Sequence, residues 1–277
     1  MCSLRSYPEL AGPVVMTYLE DQRVLAACGV WGKKDHSCYQ LSPDGQPSLG
    51  WQPLQELLNN HCSQPYYTRN HYFSDHGWLI IGQEDGVCGN NGDAAISTEL
   101  LTPQLQWIQT PIVSPYSQGF PYGACSVAIN SSTVIVTGGR NGDGYLASTW
   151  MLDLTDFTWT QLQDMPRRRY SHGCTLTSTG DIIIAGGVYV NYLSSVYTYN
   201  LMTNTWSQAG DLPADMINYD VPVMFLWNNH PIILEYLTSN IWRLDGDRWI
   251  KMESKLGAIF DGAWDTATIV PAGLFTC

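Results

Sequence analysis

Short apolar runs bounded by turn-forming residues recur along the chain. Val134-Ile135-Val136 and Ile182-Ile183-Ile184 are not interrupted by polar residues, which is typical of strands covered on both faces. Each run is followed by an alternating strand, a short polar turn and a further strand that contains a tryptophan. This order of elements predicts an all-β fold.

Two consecutive segments, 125–166 and 174–213, repeat this pattern with a period of about 50 residues. Each segment starts at a cysteine, passes through a strand that ends in Gly-Gly, and leaves its tryptophan strand at Met-Pro or Leu-Pro. Weaker copies lie upstream and downstream, in register with tryptophans at positions 51, 107, 159, 206 and 249. Five repeats are therefore readable, and residues 266–277 begin a sixth.

The repeat resembles the kelch motif. Gly138-Gly139 and Gly186-Gly187 match the diglycine that ends the second kelch strand, and Tyr199 with Trp206 matches its aromatic pair. The resemblance implies a kelch-type β-propeller that occupies residues 1–277 as a single domain, with five readable blades and a partial sixth. A strand from residues 2–10 would complete the sixth blade, because a propeller closes on itself.

The charge balance narrows the class of partner. The chain has 277 residues, with 13 basic and 25 acidic side chains and a net charge of −12. Such a charge repels phosphate backbones, so we expect no nucleic acid partner. No stretch approaches the roughly 20 consecutive apolar residues of a transmembrane helix, so no membrane span is expected.

The cysteines and one sequon favour an extracellular, secreted protein over the alternative, a cytoplasmic one. Eight cysteines are many for a reducing compartment, and Asn130-Ser131-Ser132 offers a glycosylation site in a predicted hairpin turn. Cys28 and Cys38 flank one loop between neighbouring strands, which predicts a disulfide. A second bridge, Cys2 to Cys277, is predicted from propeller closure. Cys125 and Cys174 are interpreted as free thiols in the core.

The sequence nominates no catalytic residue, metal site or cofactor. His172 precedes a first strand, where kelch repeats often carry such a residue, so we assign it a structural role. Asn90-Asn91-Gly92-Asp93 and Asn141-Gly142-Asp143-Gly144 lack the closing glutamate of a calcium loop and are interpreted as turns.

Loops on one face are the candidate ligand-binding surface. In a propeller, the connections after the second strands and before the first strands emerge together, and recognition commonly lies on such loops. Tyrosine and arginine are frequent binding anchors. The predicted ligand-binding residues are Arg140, Arg167, Arg168, Arg169, Tyr170, Tyr189 and Tyr192.

The leading functional hypothesis is a noncatalytic module that recognises a protein or peptide through this face. The local positive charge favours an acidic peptide or an anionic sugar. Two alternatives stay open. One is a propeller enzyme that acts on a carbohydrate, since kelch-like propellers include oxidases and mutarotases, and the other is a secreted structural or matrix component, which would self-associate.

Overall fold

The computed structural model describes residues 14–29, 37–41, 51–58, 69–83, 96–118, 120–216, 223–235, 238 and 240–253. These residues form five four-stranded antiparallel sheets, which we call blades one to five in chain order. The predicted all-β class is confirmed, and the five readable repeats correspond to the five blades. The partial sixth blade lies outside the described residues. So does the Cys2–Cys277 bridge.

The chain divides into two compact units, residues 1–120 with 265–277 and residues 121–264. Blades one and two belong to the first unit, and each is a meander in which neighbouring strands in sequence are neighbours in the sheet. Their strands are β1 (Val14–Leu19), β2 (Val24–Gly29), β3 (Cys38–Leu41), β4 (Gln52–Leu54), β5 (Arg69–Phe73), β6 (Gly77–Gln83), β7 (Ile96–Leu101) and β8 (Trp107–Gln109). That the whole chain is a single domain stays a prediction.

The second unit contains blades three to five and two short ribbons. Blade three consists of β9 (Cys125–Ala128), β10 (Thr133–Thr137), β13 (Thr149–Asp153) and β14 (Thr158–Gln161). Blade four consists of β15 (Gly173–Leu176), β16 (Ile182–Ala185), β19 (Ser195–Asn200) and β20 (Thr205–Asp211). Blade five consists of β21 (Val223–Trp227), β22 (His230–Leu234), β23 (Ile241–Asp245) and β24 (Arg248–Lys251). The ribbons pair β11 (Arg140–Asn141) with β12 (Gly144–Tyr145) and β17 (Val188–Tyr189) with β18 (Asn191–Tyr192).

The apolar runs found in the sequence are the buried second strands. All five residues of β10 and all four of β16 are buried, as expected for strands that are covered on both faces. Within the second unit, Ile135 and Ile184 belong to one core cluster, and Ile183 and Ile233 belong to another. No helix among the described residues is long and apolar enough to cross a membrane.

In blades two and four, the repeated tryptophan forms a hydrogen bond to the preceding blade. The indole N–H of Trp107 donates to the carbonyl oxygen of Gln55 at 3.0 Å, and that of Trp206 donates to the carbonyl oxygen of Gln163 at 2.8 Å. Each glutamine lies four residues after the repeat tryptophan of the preceding blade, Trp51 or Trp159. In blades two and four the recurrent tryptophan therefore supplies a directed hydrogen bond as well as apolar surface.

We expect the substitution Trp107→Phe to lower the free energy of unfolding by about 1–3 kcal/mol, because it removes the indole donor to Gln55. Trp107 also packs against Trp78, with ring centroids 5.5 Å apart. Chemical denaturation of the purified variant measures the change. Trp227→Phe is the control, since Trp227 is 45% exposed and the same substitution there should change stability by less than about 0.5 kcal/mol. Equal effects at the two positions would contradict the assignment.

Candidate functional site: a tyrosine–arginine cluster

The two ribbons extend from the second-strand ends of blades three and four. Gly138-Gly139 and Gly186-Gly187 precede them, and all four glycines have positive φ. A Cβ at Gly138 would come within 2.5 Å of the carbonyl oxygen of Arg169, and one at Gly187 within 2.6 Å of that of Tyr170. Glycine is therefore required, because the chain passes directly against the segment that leads into the next first strand.

Backbone pairing fixes each ribbon to such a segment. Tyr122 and Arg140 exchange two backbone hydrogen bonds of 3.0 and 2.9 Å, and Tyr170 and Val188 exchange two of 3.1 and 2.9 Å. The amide of Ser171 donates to the carbonyl oxygen of Gly123 at 2.7 Å, which joins the two leading segments to each other. The side chains carried by these residues are consequently brought together.

Five side chains meet on this surface, and we call them the tyrosine–arginine cluster. The guanidinium carbon of Arg140 lies 5.1 Å from the ring centroid of Tyr145 and 5.9 Å from that of Tyr122. The ring centroid of Tyr170 lies 5.7 Å from that of Tyr122 and 5.5 Å from that of Tyr145. Tyr189 packs edge-on against Tyr145, with centroids 5.3 Å apart. All five residues are half-buried, so each keeps part of its surface accessible to a partner.

The cluster combines a fixed positive charge with neutral phenols. Burial raises the pKa of Tyr122 above its ordinary value, and the neighbouring Arg140 opposes that rise. The phenol therefore stays protonated at neutral pH and can donate a hydrogen bond. Cation–π contacts hold the planar guanidinium against the rings of Tyr122 and Tyr145, and a side-chain hydrogen bond also links Arg140 to Tyr122.

The cluster includes Arg140, Tyr170 and Tyr189 of the predicted ligand-binding residues. Arg167 and Arg168 are exposed on the loop before Tyr170, and Tyr192 is 62% exposed on β18; ligand contact at these positions stays a prediction. Tyr145 was not predicted, although the sequence Arg140-Asn-Gly-Asp-Gly-Tyr145 contains a hairpin signal. A two-residue turn at Gly142-Asp143 places Tyr145 directly opposite Arg140.

Arg169 is not a surface residue, and the prediction that it contacts a ligand is wrong. Its side chain is fully buried. Its guanidinium donates to the carbonyl oxygens of Gly186 and Ser195 at 2.8 and 3.1 Å and to the hydroxyl of Ser195 at 2.9 Å. Burial lowers the pKa of Arg169 to about 10, which leaves it protonated at neutral pH.

His172 has a structural environment, as the sequence indicated. The residue is buried, and its Nε2 lies 2.8 Å from the Thr137 hydroxyl at the end of β10. The segment Asn141–Gly144 is a hairpin turn in which the Asp143 amide donates to the Asn141 side chain at 3.0 Å. Asn90–Asp93 lies outside the described residues, and no group of metal-binding side chains occurs within the described ranges.

The four described cysteines form two disulfides. Cys28 and Cys38 are directly paired across β2 and β3 and are bonded to each other. Cys125 and Cys174 are also bonded, with Cα atoms 6.1 Å apart, so their interpretation as free thiols is wrong. The physical reason is that they occupy equivalent positions on β9 and β15, the first strands of adjacent blades. Asn130 is exposed in the β9–β10 turn, and its glycosylation stays a prediction.

We expect Arg169→Ala to lower the free energy of unfolding by about 2–4 kcal/mol, because buried carbonyl oxygens of Gly186 and Ser195 lose their donor. Arg168→Ala is the matched control, since it removes the same charge from an exposed neighbour and should change stability by less than about 0.5 kcal/mol. Guanidinium chloride unfolding distinguishes the two. A small effect for Arg169→Ala would contradict its structural role.

Comparison with known proteins agrees with the architecture of this unit. The family profile of the kelch motif matches residues 121–166 and 169–213, which hold blades three and four and the whole cluster. Kelch domain-containing protein 10 of Xenopus tropicalis is 37% identical to this chain over 86 residues, which is 30% of this chain. The matched region spans 21% of the length of that relative. The two motif matches coincide with blades three and four, which are therefore kelch repeats, and the resemblance to the kelch-repeat family is confirmed.

Proposed function

We propose that this chain is a noncatalytic binding module that recognises a segment of another protein through the tyrosine–arginine cluster. The observation that carries the proposal is the position of Arg140, whose guanidinium is held against Tyr122 and Tyr145. Among the described residues, no carboxylate lies within ion-pair distance of it. An arginine held in place, with no acidic partner in the described part of the chain, is suited to bind a carboxylate of another molecule.

The amino-acid composition of the cluster also favours a protein partner. Tyrosine and arginine dominate the residues whose truncation most weakens protein–protein complexes. Tyrosine supplies a large contact area with few rotatable bonds, so ordering it on binding costs little entropy. Kelch propellers commonly serve as protein-interaction modules, and the family match to blades three and four supports the same role here.

The partner segment is proposed to be acidic. The chain carries a net charge of −12, yet Arg140 follows a second strand and the exposed Arg167 and Arg168 precede the next first strand, in the connections proposed to form the binding face. A local positive surface on an acidic body attracts an acidic segment and disfavours a basic one. The attraction is screened over a Debye length of about 8 Å at physiological ionic strength, so it should weaken with added salt.

We expect Arg140→Ala to weaken the binding of acidic peptides at least about tenfold, because the carboxylate loses its charged and bidentate donor. The probes are peptides selected against the wild-type protein from a displayed random library, with dissociation constants measured by calorimetry. Arg140→Lys should restore only part of the affinity, since lysine cannot form the bidentate pair.

Arg248→Ala provides the matched control for this experiment. Arg248 is exposed next to the turn between β23 and β24. Turns between third and fourth strands lie at the end of the blade opposite to the proposed binding loops. Its removal changes the net charge equally and should leave peptide affinity unchanged. Selected peptides that bind wild type and Arg140→Ala equally would place recognition elsewhere.

The protein is further proposed to work in an oxidising, extracellular compartment. All four cysteines of the described residues are paired, and pairs of this kind persist where thiols are not kept reduced. Asn130 supports the same compartment, because it is exposed in a turn and lies in a sequon.

We expect nonreducing peptide mapping of the native protein to recover Cys28 linked to Cys38 and Cys125 linked to Cys174. The peptide that contains Asn130 should carry a glycan. Mass spectrometry with and without glycosidase reads both features from one sample. Free thiols at all four cysteines together with an unmodified Asn130 would favour the cytoplasmic alternative.

A further inference from the structure

The tip of the ribbon formed by β17 and β18 has an unfavourable backbone. Val188 pairs with Tyr192 and Tyr189 pairs with Asn191, so Val190 alone forms the turn. Its φ is 64°, in the left-handed region. That region is unfavourable for L-amino acids in general and is an outlier for a β-branched residue such as valine.

Burial does not offset this strain. Val190 is 73% exposed, whereas Leu193, three residues later, is 3% exposed and anchors the base of the ribbon. The valine side chain thus gains little from packing within its own chain. Glycine or asparagine is the usual residue at such a turn position.

The corresponding ribbon of blade three has no such strain. The ribbon formed by β11 and β12 follows Gly138-Gly139 as the β17–β18 ribbon follows Gly186-Gly187. The earlier ribbon turns through two residues, Gly142 and Asp143, and its positive φ of 96° falls on a glycine, Gly144 of β12. The ribbon of blade four instead has its positive φ on a valine, at a conformational cost that the earlier ribbon avoids.

The strained tip is held beside the tyrosine–arginine cluster. The ring of Tyr189 packs against Tyr145 at 5.3 Å, and the Val188 backbone is paired with that of Tyr170. The amide of Leu193 donates to the carbonyl oxygen of Gly187 at 2.9 Å, which closes the base of the ribbon. Val190 and the 62%-exposed Tyr192 thus lie on a ribbon that is joined to the cluster through Tyr189 and the Val188 backbone.

We infer that Val190 is a recognition residue, kept in a strained conformation so that it contacts the partner. Strained backbone outside the core is concentrated at binding and catalytic sites. This inference rests on the proposed function and refines the chemistry of the ligand. The partner segment carries an apolar side chain that packs on Val190 and Tyr192, close to an acidic side chain that pairs with Arg140.

The substitution Val190→Asn separates strain from recognition. Asparagine tolerates the left-handed conformation, so the melting temperature should rise by about 2–4 °C. The same substitution removes the exposed apolar group, so the affinity for the selected acidic peptides should fall about tenfold. Val190→Gly should weaken binding similarly and should not lower the melting temperature.

Two control variants lie at third-to-fourth strand turns of the same unit. Phe157 has a φ of 58° in the β13–β14 turn, so Phe157→Asn tests relief of a positive φ at the opposite end of a blade. Met202 is 93% exposed in the β19–β20 turn, so Met202→Asn tests the loss of exposed apolar surface. Neither variant should change peptide affinity.

The outcomes separate this inference from the function on which it rests. Unchanged affinity in Val190→Asn, with binding still lost in Arg140→Ala, would overturn the inference and leave the proposed function standing. A melting temperature that falls in both Val190 variants would remove the strain argument and overturn the inference as well. Failure of the library to yield any peptide dependent on Arg140 would overturn the proposed function itself.

Discussion

The approach of two backbones at the diglycines is the constraint on which the site depends. At Gly138 and Gly187 the chain passes so close to a carbonyl oxygen of the incoming segment that no side chain fits. The amide of Gly139 uses this approach to donate to the Arg169 carbonyl oxygen at 2.8 Å. Ribbons and leading segments are then paired as short two-stranded structures, and the cluster is formed from residues far apart in sequence.

Blade five shows how the same position is built without glycine. Glu235 follows β22 at the position of the diglycine in blades three and four, and its side chain is buried. It accepts hydrogen bonds from the hydroxyl of Thr238, the side-chain amide of Asn240 and the indole of Trp242, at 2.7, 2.6 and 3.2 Å. A buried carboxyl group with three hydrogen-bond donors thus organises this connection, in agreement with the rule that buried polar groups are hydrogen-bonded.

The sequence predicted the repeats well because their signals are local. Gly138-Gly139, Gly186-Gly187 and the tryptophans mark strand ends and blade contacts, and the blades follow from them. Arg169 could not be separated from Arg167 and Arg168 in this way. Its burial is decided by Gly186 and Ser195, which lie 17 and 26 residues away.

The errors at Cys125, Cys174 and Tyr145 are of a different kind, because the signals were present. Two cysteines at equivalent places in successive repeats face each other when blades stack, so repeat position carries information about distance. Likewise, a two-residue turn determines which residue stands opposite Arg140. Both contacts are found only when residues are considered in pairs, across adjacent repeats for the cysteines and across the hairpin for Arg140 and Tyr145.

The Cys125–Cys174 bridge has a consequence for how this unit fluctuates. Repeat architectures can open one repeat at a time, because each contacts only its neighbours. A covalent bond across a sequence separation of 49 residues restricts the unfolded chain, by about 4 kcal/mol in the chain-entropy account. Local opening of blade three or blade four alone then leaves their first strands tethered, so the two blades behave as one cooperative foldon. Amide hydrogen exchange and proteolysis would then show blades three and four protected together, and the tyrosines of the cluster lie across the boundary between these two blades.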